Sequence, residues 1–336
     1  MTLNTLWFLL IALLFSGYFF LEGFDFGVGM LVPFLGKNDV QRRVIVNTIG
    51  PHWDGNEVWL ITAGGALFAA FPMWYATLFS GFYLPLFLIL LVLIVRGVAI
   101  EFRSRIEDAG WRKGWDWALC VSSFLAPLLW GVAFANLVRG VPIDANMNYV
   151  GGFWNLLNPY ALLGGVTFVA LFLLHGAIFL TLTTEGSVHD RAIRAAQRFW
   201  PFAAVLLLGF LVYSIVGVGL AGKPLALGML GVGFLAVMAS LWAISTQREG
   251  WAFGLTAITV LMLGFGIFAA LYPNVMISSL NPAWNLTITN SASGPYTLHV
   301  MSIVAAVLVP IVLAYQGWSY WVFRKRIGER PEELHY

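Results

Sequence analysis

Long apolar runs alternate with short polar ones along the whole chain, and this alternation is its most direct structural signal. A helix needs roughly 20 residues to cross about 30 Å of hydrocarbon, and apolar runs of that length recur from one end to the other. Borders of charged, Pro or Gly-rich sequence divide them into about nine spans, at roughly 4–32, 54–72, 76–99, 116–138, 160–183, 199–220, 225–246, 252–272 and 297–322. The pattern predicts an all-α integral membrane protein that forms a single transmembrane domain over 1–336. The second span is the weakest of the nine. Leu6 to Phe20 has no basic segment before it and no small-residue cleavage site after it, so it reads as a permanent helix.

An odd number of spans puts the termini on opposite sides. With the N-terminus outside, the cytoplasmic loops hold Lys37, Arg42, Arg43, Arg103, Arg105, Arg112, Lys113, Arg191, Arg194, Arg198 and Arg248, and the tail adds Arg324, Lys325, Arg326 and Arg330. Only Arg139 and Lys223 fall outside, so the positive-inside rule predicts an outer N-terminus and a cytoplasmic C-terminus. Composition agrees: 60% of residues are hydrophobic and 10% charged, too few polar groups to coat a water-soluble protein. The single cysteine, Cys120, excludes an internal disulfide and any multi-cysteine iron–sulfur or zinc centre. A net charge of +2, with the basic residues scattered among loops, gives no footprint for nucleic acid. No P-loop, dinucleotide-binding glycine pattern or nucleophile elbow occurs in its required context.

Ionisable residues inside spans carry the chemical information, because each costs several kcal/mol unless it meets a partner or water. Glu22 and Asp25 lie three apart, on one face of the first helix toward its inner end. His52, Asp54 and Glu57 open the second span after Pro51, so the first two helices can gather five ionisable groups. Asp54 and Glu57 can instead serve as first-turn carboxylates that complement the helix dipole. Glu22 and Asp25 have no such helix-start role, and crowded acidic groups of this kind can relay protons. Arg96 and Glu101, near the inner end of the third span, can pair with each other or with an acidic neighbour. His175 and His299 are the two histidines available to haem iron. Their predicted depths differ, one mid-span and one near an outer end, which makes a poor axial pair. Mid-membrane acids and Gly-broken helices also belong to proton-coupled secondary transporters, although no matching pair of sites in two halves is visible here.

Specific strings choose between these classes. Gly23 to Met30 reads GFDFGVGM, Pro51 to Phe68 reads PHWDGNEVWLITAGGALF, and Phe79 to Tyr83 reads FSGFY. Arg103 to Glu107, Trp115 to Trp117, Gly131 to Phe134, Gly140 to Pro142 and Leu157 to Pro159 follow in order. Together they resemble subunit II of the cytochrome bd quinol oxidases, over essentially the whole chain. The resemblance implies nine helices arranged as two four-helix bundles plus one peripheral helix, in a bacterial plasma membrane. It implies pairing with a similarly folded subunit I that carries two b-type haems, haem d and the quinol site, and it leaves room for a small single-helix accessory subunit. Subunit II then holds no haem, stabilises its partner among the membrane lipids and contributes to a cytoplasmic proton route, while the complex oxidises quinol and reduces O2 to water. Residue by residue, Asp54 of HWDGN matches an aspartate placed at the subunit interface on that route, and Asp25 of GFDFG lies in the same region. Some members carry Gln where this chain has Glu57, and many have a longer connection where this chain has only Ala221 to Pro224.

Overall fold

The computed structural model describes residues 2–336. Its helices are α1 (Leu3–Leu35), α2 (Asp39–Ile49), α3 (Trp53–Ala70), α4 (Pro72–Gly81), α5 (Tyr83–Phe102), α6 (Ala109–Arg139), α7 (Pro159–Thr183), α8 (Gly186–Gly217), α9 (Pro224–Ser245), α10 (Glu249–Leu271) and α11 (Pro295–Val322). Eight of them, all but α2, α3 and α4, are long and apolar enough to cross a membrane. The expected span 54–72 corresponds to α3, an 18-residue helix whose opening turns carry Asp54, Asn56 and Glu57 and fall short of that standard. The expected span 76–99 straddles α4 and α5, which meet at Phe82. The break between α3 and α4 has a local cause. Pro72 forces the preceding residue out of the helical region, and Phe71 sits at φ −135°, ψ 68°.

Several helices outrun their apolar runs. α6 starts at Ala109 and α8 at Gly186, because helical hydrogen bonding continues through polar residues beyond the hydrocarbon, where hydropathy is blind. α2 was not predicted at all. It is short and polar, capped by the Asn38 side chain on the Gln41 amide, and tied down by ion pairs. Arg42 and Arg103 both meet the buried Asp116 carboxylate, at 2.9 and 2.5 Å, while Arg103 and Arg112 share Asp39. The 272–294 connection is also ordered, with a two-stranded antiparallel pair, β1 (Asn274–Met276) and β2 (Leu286–Thr287). Residues after α11 fold back, and Ile327 bonds the backbone of Thr183 and Glu185.

α1 is the axis of the molecule. At 33 residues it is about 50 Å long, it packs against α3, α6, α7 and α10, and it is buried almost continuously from Phe15 to Val32. Without water to drive apolar helices together, such burial depends on close approach between backbones. A Cβ built on Gly27 lies 2.0 Å from the Phe172 carbonyl oxygen of α7, and one on Gly176 lies 2.4 Å from the Gly27 carbonyl carbon. Those two glycines set the α1–α7 crossing. α11 is the opposite case, with its central turns from 306 to 315 exposed on every side. It is held near its ends, by the Trp7 indole donating to Leu298 O and Ser302 Oγ and by contacts of Gln316 and Tyr320 with α3.

The Gly176→Ala substitution is expected to force α1 and α7 apart and lower stability by about 1–3 kcal/mol, the usual cost of overpacking. Gly228→Ala on α9, where nothing lies within 4 Å of the new methyl, serves as the control. Thermal unfolding of the detergent-solubilised protein, followed by tryptophan fluorescence, should show a lower midpoint for the first and none for the second.

Candidate functional site, a buried carboxylate cluster around Arg96

Four helices bring seven polar side chains together in the interior: Glu22 and Asp25 of α1, Asn56 and Glu57 of α3, Arg96 of α5, and Gln316 and Tyr320 of α11. The spacing of three residues puts Glu22 and Asp25 on one face of α1, and the polar first turns of α3 meet that face. Arg96 is the centre. Its Nη1 stands 2.6 Å from Glu22 Oε2 and donates to Glu57 Oε1 at 2.9 Å, and its Nη2 lies 3.8 Å from Asp25 Oδ2. The guanidinium carbon sits 4.6 Å from the centre of the Phe26 ring. Arg96, Glu22 and Asp25 have no exposed side-chain surface, and Glu57 retains 21%.

Asn56 links this charged core to α11. Its Nδ2 donates to Asp25 Oδ2 at 2.7 Å, and its Oδ1 accepts from the Tyr320 hydroxyl at 2.8 Å and from Gln316 Nε2 at 3.1 Å. Gln316 Oε1 in turn accepts from the Trp59 indole at 2.8 Å. Several polar atoms are left over: Glu22 Oε1, Asp25 Oδ1 and Nε of Arg96 have no hydrogen-bond partner among the described residues, while Glu22 Oε2 is held by the ion pair with Arg96. Three carboxylates against one guanidinium is an imbalance that a buried site sustains only by binding protons or water.

The other sequence candidates fall at different distances from this core. His52 is buried at the start of α3, where it stacks on Tyr320 with ring centres 4.2 Å apart. Asp54 is exposed on the outward side of α3, accepting from the Gly55 amide at 2.7 Å, and makes no contact with Arg96. Near it the tail closes over the end of the helices. Arg43 donates to Leu334 O and Tyr336 O, and the Tyr336 ring packs where a Gly50 side chain would stand. Burial, with Glu101 and Asp54 adding to it, pushes the Tyr336 phenol above its ordinary value.

Arg96 pairs with Glu22 and Glu57, so of the two partners open to it in the sequence the acidic neighbours are the ones it takes. Asn56, Gln316 and Tyr320 were not singled out from the sequence. The available signal was Gln316 itself, an amide inside an otherwise apolar span. The histidines do not come together. His175 is buried on α7 with Nδ1 2.8 Å from Thr256 Oγ1 and its ring stacked on Phe253, whereas His299 is exposed at the start of α11. No group of three or more potential metal ligands occurs among the described residues. A separate apolar cavity of about 620 Å³ lies between α3, α4, α5 and α6, lined by aromatic residues that include Trp74, Phe82 and Trp130.

Comparison with known proteins decides the family. The model of the family described as cytochrome bd terminal oxidase subunit II matches residues 3–323. The chain belongs to that family. The cytochrome bd ubiquinol oxidase subunit 2 of Bacillus subtilis is 45% identical over 335 residues, 98% of either chain. The cytochrome bd-I ubiquinol oxidase subunit 2 of Escherichia coli K12 is 41% identical over 366 aligned residues, 98% of this chain and 97% of that one. Among solved structures, a chain of the bd oxidase from Geobacillus thermodenitrificans shares the fold, with a TM-score of 0.74, 18% identity, and coverage of 96% of this chain and 99% of that one. This subunit II is therefore a multi-pass protein of the bacterial plasma membrane and one component of a terminal oxidase complex.

Removing Arg96 strands buried carboxylates. Arg96→Gln is expected to cost about 3–5 kcal/mol, the range seen when one partner of a buried pair is lost. Adding Glu22→Gln in the same chain should recover part of that loss, because it removes one of the stranded charges. Thermal midpoints of the single and double variants in the solubilised complex measure both effects, and strictly additive losses would contradict the pairing.

Proposed function

We propose that this chain is the haem-free second subunit of a quinol:O2 oxidoreductase, that it stabilises the haem-bearing subunit I, and that its Arg96 cluster forms part of a proton route from the cytoplasm. The observation that carries the reading is the imbalance of three carboxylates around one fully buried guanidinium, with carboxylate oxygens left free to accept protons. The complex oxidises quinol and reduces O2 to water, a reaction that consumes protons inside the protein. The two b-type haems, haem d and the quinol site belong to subunit I on this reading.

The topology that fits is nine spans, with α3 as the second and α4 with α5 as the third, an outer N-terminus and a cytoplasmic C-terminus. The basic residues support it, since nearly all lie on what becomes the cytoplasmic side. Spans one to four and five to eight form two four-helix bundles, and α11 is the peripheral ninth. Absence of haem is supported by the fit of the histidines. The His175 ring is packed against Phe20, Phe24 and Phe253, with centres 5.8, 5.9 and 4.7 Å away, and no cavity described above borders it.

Within the route each residue has a distinct part. Asp54, exposed beside the cluster, collects protons at the cytoplasmic end, and Glu57, partly exposed, passes them inward. Glu22 and Asp25 hold a proton against the field of Arg96, which keeps the remaining negative charge tolerable in a low-dielectric interior. Asn56 donates to Asp25 and so fixes which of its oxygens stays open. The partner face is the exposed side of α3, α5 and α11, where Ile61 is 72%, Tyr83 68% and Val307 59% exposed. Exposed apolar surface alone marks lipid or protein contact in a membrane. The presence of Asp54 on the same face favours protein, since a carboxylate is costly against lipid.

Charge-neutralising variants of the assembled complex test the route. Asp25→Asn is expected to slow quinol-driven oxygen uptake by about tenfold or more, and Asp54→Asn to slow it by a smaller factor. Proton uptake, followed with a pH indicator, should fall in parallel. Unchanged turnover and proton uptake in both variants would rule the route out while leaving the family assignment untouched.

A further inference from the structure

A second site lies on the opposite side of α1 from the partner face. α6 and α8 run parallel, joined through the antiparallel α7, and between them opens a slot of about 580 Å³, within the size range of small-molecule sites. Its floor is Leu31 of α1 and Leu173 of α7, and its walls include Val121 and Phe124 of α6 and Phe202 of α8. One charged residue, Arg198, lines it.

Each wall repeats the same order of side chains. On α8, Arg194, Arg198 and Phe202 follow at intervals of four, and on α6, Lys113, Trp117 and Val121 do the same. Residues four apart share a helix face, so each wall presents cations at one end and apolar groups beyond them. Trp117 stands at the change of polarity, 46% exposed, with its ring 5.8 Å from that of Phe34. Tryptophan at that level is typical of the membrane–water boundary.

Asp190 shares a face of α8 with Arg194, four residues on, but no acidic residue of α6 or α8 pairs with these cations among the described residues. Asp116 is buried against Arg42 and Arg103, Asp108 caps α6 on the Trp111 amide, and Asp190 lies beside His189 at 3.5 Å. Arg194, Arg198 and Lys113 are exposed, and they make no ion pair or hydrogen bond among the described residues. Most other arginines on this side are engaged: Arg42, Arg43, Arg103, Arg112 and Arg191 all bond to protein groups. Arg198 lines the slot, Arg194 lies one helical turn beyond it and Lys113 two turns beyond Val121, and an apolar slot with such a cationic end complements one kind of molecule.

We propose that the α6–α8 slot is a selective site for an anionic phospholipid, with an acyl chain over Leu31 and Leu173 and the phosphate held by Arg198 and Arg194, aided by Lys113. The site lies away from Arg96, so it is independent of the proton route. Lipid here fills the gap between the two halves of the subunit and fixes α8 against α6.

Native mass spectrometry of the delipidated, intact complex, titrated with dioleoylphosphatidylglycerol or dioleoylphosphatidylcholine, tests the site. A cation near the surface contributes about a factor of five toward an anionic lipid, so two give about 25-fold. The wild type should retain the glycerol lipid over the choline lipid by about that factor. Arg194→Gln with Arg198→Gln should bind the two equally, Arg198→Lys should keep the preference, and Leu173→Trp, which fills the slot, should lose retention of both. Equal retention of the two lipids by the wild type, or undiminished preference in the double Gln variant, would overturn the proposal.

Discussion

A guanidinium with no exposed surface inside a membrane-spanning bundle is a severe constraint, and Arg96 organises much of what surrounds it. An ionised side chain buried within a span is costly unless it is matched. Matching it requires acidic groups from other helices, which fixes how α1, α3 and α5 face one another. The acids outnumber the cation, so the site that anchors three helices also has more carboxylates than one guanidinium can balance. Structure and proposed chemistry therefore share one origin. A cluster balanced one to one would hold the helices equally well and offer no place for a mobile proton.

The link to α11 follows from the same cluster. That helix is nearly bare along its middle turns, and toward its C-terminal end its hold on the bundle runs through Asn56, Gln316 and Tyr320. Asn56 therefore bonds to a buried carboxylate on one side and to the peripheral helix on the other. On the opposite side of α1, contact is made by glycines and aromatic rings, with no charge involved. The axis helix is thus pinned electrostatically on one face and sterically on the other.

The sequence showed the membrane class, nearly every span, and the acidic pair at Glu22 and Asp25. It did so because apolar length and intramembrane charge are local properties. Arg96 was visible, yet its partners were not, since the pairing depends on how α5 rotates against α1. By position alone Asp54 and Glu57 share the same first-turn reading, and the resemblance favours Asp54 as the site residue and leaves Glu57 open. They part company because α3 turns Glu57 toward Arg96 and leaves Asp54 facing outward. α2 and the β1–β2 pair escaped notice for another reason. Both are short; α2 is polar and held by the distant Asp116, and the strands are two and three residues long and pair across the loop, which no hydropathy window can register.

The account stands on the claim that the Arg96 cluster holds an exchangeable proton. Infrared difference spectroscopy of the assembled complex, in H2O and in D2O at neutral pH, tests that claim most directly. The account predicts a protonated-carboxyl band that shifts on deuteration and is lost or displaced in Glu22→Gln and Asp25→Asn. A spectrum with no protonated-carboxyl band sensitive to either substitution would contradict it.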